Sequence, residues 1–268
     1  MLPHAKKRFG QHFLTDRHYI DRIVTAIAPK PADVMVEIGP GPGALTAPLV
    51  ESLDHLHAVE IDRDLAAALR TRYLAGKFTL HESDVLEFDF SQLGNRFRAV
   101  GNLPYNISTP FLFHLAQYAE QLIDATFMLQ KEVVDRMVAA PDTEAYGRLG
   151  VMLAPRARAE RILEVGPGAF KPAPKVWSAV VRLAVNPDPP AWSLLPQYAA
   201  VVTAAFGQRR KTLRNALRSL LDEAAIAAAG VDPGARAETL APAAFGALAQ
   251  AAAAAQAVAA QAALAPAS

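Results

Sequence analysis

The chain has 268 residues, enough for one or two domains with a sizeable core. Its 27 basic and 26 acidic residues almost cancel, which excludes a globally basic nucleic-acid binder and an acidic disordered chain. The absence of cysteine excludes disulfides, thiolate metal sites and cysteine nucleophiles. The histidines lack metal-ligand spacing, so no structural metal is expected. The first residues contain no apolar signal segment, and we expect a soluble cytoplasmic protein.

Short apolar runs alternate with helical spacings over the first half of the chain. Each run ends in glycine or polar residues, which is typical of buried parallel strands. Strands that alternate with helices predict a doubly wound α/β sheet. The predicted strands are 34–38, 56–60, 78–81, 98–102 and 126–129, with further candidates at 148–156 and 178–185. A first helix is predicted to start near residue 44, and further helices are predicted at 64–70, 111–118 and 131–138.

The proline-rich stretch 186–190 is typical of a linker, and only helical patterns follow it. We therefore expect an α/β domain over 1–188 and a small helical domain over 189–268. The last 30 residues, from Thr239, carry no charge, but alanine and glutamine dominate them. Because alanine is the best helix former and favours lipid little, we expect a helix that frays near Pro266, not a membrane span.

Charge is segregated along the chain. The N-terminal 30 residues and 206–218 are basic, whereas 51–90 is acidic. Two separate basic patches are typical of a protein that binds a polyanion at both patches. The alternative is that these charges form only a solvated surface. The candidate nucleic-acid contacts are Lys6, Lys7, Arg8, Arg209, Arg210, Lys211 and Arg214.

The first strand leads into a glycine loop with Gly39 and Gly41, which precedes a helix. Glycines let the backbone approach a ligand closely, and N–H groups at a helix start favour anionic groups. The spacing also fits a dinucleotide-binding fingerprint, so a dehydrogenase stays open here. A second copy of the pattern at 164–168 runs into a proline-rich segment that cannot open a helix. Only the first copy is predicted to bind a cofactor.

Acidic residues follow the next two predicted strands. Glu60 ends the second strand, where a carboxylate typically binds the ribose hydroxyls of a nucleoside. Asp84 follows the third strand, where an acid can accept a hydrogen bond from an adenine amino group. The alternatives are a surface acid for Glu60 and a turn or helix cap for Asp84.

The fourth strand ends in Asn102-Leu103-Pro104-Tyr105. Asn102 offers a side-chain carbonyl, Pro104 a backbone carbonyl that a rigid turn leaves free, and Tyr105 a flat ring. Two acceptors can hold the N–H groups of an exocyclic amine and direct its lone pair to an electrophile. The ring can stack on a base, worth about 1–3 kcal/mol. Hydride transfer needs no such group, and the alternative is a proline turn with a packed tyrosine.

Together these residues resemble the ribosomal RNA adenine N6,N6-dimethyltransferase family of the KsgA/RsmA type. The resemblance extends from Lys6 to about Pro242 and departs at His12, where many members have asparagine. It implies a Rossmann-like class I methyltransferase sheet, S-adenosylmethionine as cofactor and a small C-terminal α-helical, RNA-binding domain. The segments that carry it are 7–14, 37–44, 102–108, 128–132, 170–176 and 208–215, together with Glu60 and Asp84.

The resemblance also implies roles for individual residues. The implied cofactor pocket contains His12, Leu14, Gly39, Gly41, Glu60, Asp84 and Asn102. Tyr105 and Phe170 would sandwich the target base, with Phe170 as an exposed aromatic next to Lys171 and Lys175 in a proline-stiffened loop. Asn102 and the Pro104 carbonyl would align the adenine N6.

The implied substrate is a pair of adjacent adenosines in the 3′-terminal stem-loop of 16S rRNA in the small ribosomal subunit. We expect the protein to be a monomer and to have no contact with a membrane. Large-subunit rRNA or DNA adenine is an alternative substrate. The chain could also be mainly a non-catalytic ribosome-assembly factor.

Overall fold

The computed structural model describes residues 6, 11–208 and 210–264. The chain divides into two compact units, which we call the sheet unit (Met1–Val134 with Arg158–Val185) and the helical unit (Asp135–Ala157 with Asn186–Ser268). The division differs from the expected boundary near residue 188. Residues 135–157 belong to the helical unit because Tyr146 and Val151 are buried in its core beside Tyr198.

The sheet unit is organised around a seven-stranded sheet. Its strands are β2 (Met35–Ile38), β3 (Leu56–Glu60), β4 (Phe78–Glu82), β5 (Phe97–Asn102), β6 (Leu122–Gln130), β7 (Ala157–Val165) and β9 (Ser178–Val185). The strand order is β4-β3-β2-β5-β6-β9-β7, with the first five parallel and β9 antiparallel to β6. The predicted α/β sheet of the class I methyltransferase type is confirmed. A separate antiparallel pair joins β1 (Phe13–Leu14) to β8 (Phe170–Lys171).

Four helices complete the sheet unit: α1 (Arg17–Ile27), α2 (Thr46–Ser52), α3 (Arg63–Arg72) and α4 (Ser108–Leu115); α5 (Lys131–Val138) crosses the boundary between the units. Aspartates start two of the helices, because Asp16 accepts from the His18 N–H and Asp62 from the Asp64 N–H. The apolar residues of α1 recur at helical spacing, and Ile20, Ile23 and Ile27 are buried.

The helical unit contains α6 (Arg148–Leu153), α7 (Pro196–Gly207), α8 (Leu213–Ala216), α9 (Glu223–Ala228) and α10 (Pro242–Leu264). The predicted strand at 148–156 is wrong, because residues 148–153 form α6. Short apolar runs do not distinguish a strand from a buried helix. Here Gly150 packs so closely that a β-carbon would lie 2.7 Å from the Arg136 carbonyl oxygen.

The predicted alanine-rich helix is confirmed as α10 over Pro242–Leu264. By length and composition, Pro242–Gln261 could cross a membrane, and 28% of its most apolar window is buried. Its first half packs into the core of the helical unit through Phe245, Leu248 and Ala249. This half of the helix is therefore occupied by protein contacts.

Candidate active site

The carboxyl ends of β2, β3, β4 and β5 border a cavity of about 240 Å³ in the sheet unit. Chain order reverses beside β2, whose neighbours are β3 and β5. In open α/β sheets ligands bind at such a switch point. The lining consists of residues 11–14, 37–42, 44–45, 59–61, 83–85 and 102–107.

The glycine loop holds the Glu60 carboxylate at the cavity wall. Gly39 and Gly41 adopt φ values of +61° and +56°, which L side chains rarely adopt. The Gly41 N–H donates to Glu60 Oε2 at 3.1 Å, and the Asp62 N–H donates to Oε1 at 2.9 Å. Burial raises the pKa of Glu60, whereas these two N–H groups oppose the rise. The glycine loop thus fixes one carboxylate oxygen, and the segment after β3 fixes the other.

A second acid, Glu37, lies fully buried under the same loop. The Thr46 hydroxyl donates to Glu37 Oε2 at 2.6 Å, joining β2 to α2. Burial raises the pKa of Glu37 to about 8. The loop pattern alone predicted no separate role for Glu37, whose hydrogen bond to Thr46 links the strand to the helix.

Asp84 combines both interpretations of its sequence position. It lines the cavity, and its Oδ1 accepts from the Leu86 N–H at 2.9 Å, which is the turn cap named as the alternative. Its Oδ2 has no hydrogen-bond donor among residues 6, 11–208 and 210–264 and can accept one from a ligand. Ile61 follows Glu60 and is 44% exposed although apolar, and it too lines the cavity. Sequence analysis missed Ile61 because an isolated isoleucine after a strand carries no signal.

Asn102 ends β5 at the cavity. Its Nδ2 donates to the His12 carbonyl oxygen at 3.0 Å, and its Oδ1 has no partner among the described residues. The amide is therefore oriented with an acceptor to spare. The expectation that the Pro104 carbonyl is free is wrong, because it accepts from the Ile107 N–H at 3.2 Å and the Ser108 hydroxyl at 3.1 Å.

Tyr105 forms an aromatic wall of the cavity. Its hydroxyl shares a 2.7 Å hydrogen bond with Ser178 Oγ, and its ring stacks on His12 with centroids 5.6 Å apart. The His12 ring in turn contacts the Pro172 carbonyl oxygen at 2.8 Å through Nδ1. His12 thus keeps contacts through its ring and its backbone although it departs from the family pattern.

Phe170 does not lie where the sequence predicted. It is 3% exposed, packs in the hydrophobic core and is absent from the cavity lining. Its place in β8, opposite Leu14 of β1, turns its side chain inward, and the next residue, Lys171, is exposed. The predicted exposure of Phe170 is therefore wrong. Leu14 belongs both to this core and to the cavity lining.

The basic candidates fall into three groups. Lys6 pairs with Asp62 and Asp64 at 2.6 Å each, so its charge takes part in an ion-pair network, and its RNA contact stays a prediction. Arg210, Lys211 and Arg214 are exposed in the helical unit, and Arg214 approaches Glu223 at 3.2 Å. The three remaining candidates lie outside the described residues: Lys7, Arg8 and Arg209.

Comparisons with known proteins agree on one family. The model of the ribosomal RNA adenine dimethylase family matches residues 3–254. A ribosomal RNA small subunit methyltransferase A from Aromatoleum aromaticum is 58% identical over 91% of this chain and 92% of the relative. The protein of the same name from Neisseria meningitidis is 51% identical over 91% of this chain and 95% of the relative.

Solved structures show the same architecture. A dimethyladenosine transferase from Plasmodium falciparum has a TM-score of 0.73 at 23% identity, covering 88% of this chain and 96% of that one. The 23S rRNA methyltransferase ErmE has a TM-score of 0.69 at 28% identity, covering 89% of this chain and 98% of that one.

Proposed function

The chain belongs to the ribosomal RNA adenine dimethylase family, and on that premise we propose that it dimethylates the N6 amines of two adjacent adenosines of small-subunit (16S) rRNA. The adenosines are those of the 3′-terminal stem-loop, and S-adenosylmethionine is the methyl donor. The protein acts as a monomer in the cytoplasm during assembly of the small subunit. The observation that carries this proposal is the oriented amide of Asn102 at the cavity, with Oδ1 unpaired among the described residues.

The cavity residues fit S-adenosylmethionine by their chemistry. Glu60 is a buried carboxylate whose position suits ribose hydroxyls, and the remaining oxygen of Asp84 suits an adenine amino group. The exposed apolar side chain of Ile61 offers a surface for a base. When bound, S-adenosylmethionine supplies a methyl group that its sulfonium has already activated.

Asn102 has the task of orienting the target amine. Its Oδ1 accepts an N–H of the adenine N6, which directs the nitrogen lone pair away from the amide. The neutral amide needs no change of protonation, and a monomethylated amine still offers one N–H to it. The Pro104 carbonyl oxygen accepts from the Ser108 hydroxyl in this structure. To accept the second N–H of the adenine N6, it must either accept both donors or release the Ser108 hydroxyl.

Tyr105 holds the base itself. Its ring lines the cavity, and its hydroxyl is anchored to Ser178, so the ring orientation is fixed before substrate arrives. Stacking on such a ring contributes about 1–3 kcal/mol per base. The adenine displaces the stacked His12 ring or inserts beside it.

Exposed basic residues of the helical unit, Arg210, Lys211 and Arg214, contact phosphates of the RNA in this proposal. The same role for Lys7, Arg8 and Arg209 stays a prediction. Phosphate contacts release counterions, so affinity for RNA falls as salt rises.

Methyl transfer to isolated subunits tests the proposal. Small subunits that lack the modification are incubated with the protein and labelled S-adenosylmethionine, and the rRNA is analysed by mass spectrometry. We expect two methyl groups on each of two adjacent adenosines, and transfer at least about 100-fold slower with Asn102→Ala. If the variant still restores subunit assembly in cells that lack the gene, the main cellular role is that of an assembly factor.

Large-subunit rRNA is the second candidate substrate, because the 28% identical ErmE is a 23S rRNA methyltransferase. The more similar relatives at 51% and 58% identity carry the small-subunit name, which favours the first candidate. Large subunits and free DNA therefore belong in the same assay. Transfer to either one, with none to small subunits, would refute the substrate assignment.

A further inference from the structure

The loop between β8 and β9 presents an exposed aromatic side chain that the proposed reaction does not use. Trp177 is 52% exposed and Val176 is 45% exposed, at the start of β9. Large apolar side chains are costly to leave in water, and a tryptophan in such a place commonly marks a binding surface.

This loop is attached to the cavity at both ends. Near its start, the Pro172 carbonyl oxygen contacts the His12 ring at 2.8 Å. At its end, Ser178 follows Trp177 directly and shares its 2.7 Å hydrogen bond with Tyr105. Adjacent Cα atoms are about 3.8 Å apart, so the backbone of Trp177 lies next to a residue that touches the aromatic cavity wall.

The indole is presented from a rigid support. The Trp177 carbonyl oxygen accepts from the Lys131 N–H at 2.9 Å, which fixes its backbone at the start of α5, directly after β6. The ring lies over Gly166, where a β-carbon would be 3.6 Å from Trp177 Cη2. A supported, half-exposed ring loses little conformational freedom when a second flat group stacks on it.

Two basic residues precede this ring in the chain. Lys171 at the end of β8 and Lys175 in the loop are exposed, and neither pairs with an acid within the described part of the chain. Lys6, by contrast, is neutralised by two aspartates. An exposed π-face that follows two unneutralised lysines within seven residues matches the chemistry of single-stranded nucleic acid, which offers bases for stacking and phosphates for ion pairs.

We propose that Trp177 is a stacking platform for an RNA base that flanks the target adenosine, with Lys171 and Lys175 on the neighbouring phosphates. This inference rests on the proposed function for the identity of the RNA, and it assigns a second base-binding position outside the cavity. The exposed aromatic of this loop is Trp177, which replaces the expected Phe170 on the surface.

Tryptophan fluorescence and binding measurements test the platform. The probe is a single-stranded, adenosine-rich RNA oligonucleotide with an end label, added to the full chain. We expect it to quench the emission of the wild type and to leave that of Trp177→Phe, which retains only Trp192, unchanged. Trp177→Leu keeps apolar volume without a π-system, and we expect about 5- to 100-fold weaker binding. Trp177→Phe should bind within a few-fold of wild type.

Two controls separate the outcomes. Leu74→Ala removes another exposed apolar side chain of the sheet unit, 80% exposed, and should leave RNA affinity unchanged. Lys171→Ala with Lys175→Ala should lower the salt dependence of binding.

If the wild type methylates small subunits while Trp177→Leu binds RNA normally, the platform is refuted and the proposed function stands. If quenching through Trp177 occurs without methyl transfer, the platform stands and the proposed substrate fails. If the oligonucleotide does not bind the wild type, the platform is refuted, and methyl transfer to small subunits decides the proposed function separately.

Discussion

The Asn102 side chain donates through Nδ2 to the His12 carbonyl oxygen at 3.0 Å, which joins the end of β5 to the segment before β1. The bond decides which atom of the amide remains available to substrate. Asparagine is required because it donates with one atom and accepts with the other. Neither alanine nor aspartate can do both.

We expect Asn102→Ala to lower kcat by about 10²- to 10³-fold, the loss typical of one oriented transition-state hydrogen bond. Asn102→Asp should also weaken cofactor binding, because its second oxygen would face the His12 carbonyl oxygen and displace the segment at residues 11–14. Methyl-transfer kinetics and calorimetry with S-adenosylmethionine separate the two effects. A near-normal kcat for Asn102→Ala would mean that another group orients the amine.

Glu60→Gln should weaken S-adenosylmethionine binding by about 10- to 100-fold, because an amide N–H₂ then faces one of the two backbone donors, Gly41 or Asp62. Glu82→Gln is the matched control. Glu82 pairs with Glu60 in strand register but is exposed and bonds to Arg70. Calorimetry on both variants checks the prediction, which equal affinities would contradict.

Arg98 is a structural charge in the sheet unit. It is 9% exposed and donates to Asp33, Asp124 and the carbonyl oxygens at the end of α1. Arg98→Met should lower the free energy of unfolding by about 3–5 kcal/mol, because it leaves two carboxylates without their partner. Denaturant unfolding measures the loss, and Arg214→Met, at an exposed ion pair, should cost under about 1 kcal/mol.

The central strands were predictable because β2, β3 and β5 are covered on both faces and therefore appear as continuous apolar runs. β7 was missed because it is an edge strand in which charged residues alternate with few apolar ones. The glycine loop, Glu60 and Asn102 were found because strand ends in such a sheet meet at one place.

The remaining site features depend on contacts between distant parts of the chain. Whether Phe170 or Trp177 faces solvent is set by the pairing of β8 with β1, in which Phe170 lies opposite Leu14. Lys6 pairs with Asp62, which is 56 residues away in the sequence. The Pro104 carbonyl is occupied because α4 begins at Ser108, whose side chain turns back to it. No local pattern contains these pairings.

Protonation of His57 should make the protein less stable in acid. His57 Nδ1 lies 3.2 Å from His81 Nε2, and burial, together with His55 and His81, lowers the pKa of His57 to about 4. The unfolded chain has the ordinary value of 6.5 and so binds more protons between pH 6.5 and 4. The contribution of His57 to the free energy of unfolding is complete above about pH 6.5 and decreases as the pH falls toward 4.

Glu37 changes the stability in the opposite direction, because burial raises its pKa to about 8. Its contribution to the free energy of unfolding is therefore lost as the pH rises from 4.5 to 8. The His57 effect must therefore be measured as a difference between wild type and His57→Gln. Because His57 is only half-buried, we expect the wild type to lose about 1–2 kcal/mol more than the variant between pH 7 and pH 4.5. Denaturant unfolding at both pH values measures this difference, and parallel pH profiles would show that His57 is not the titrating group.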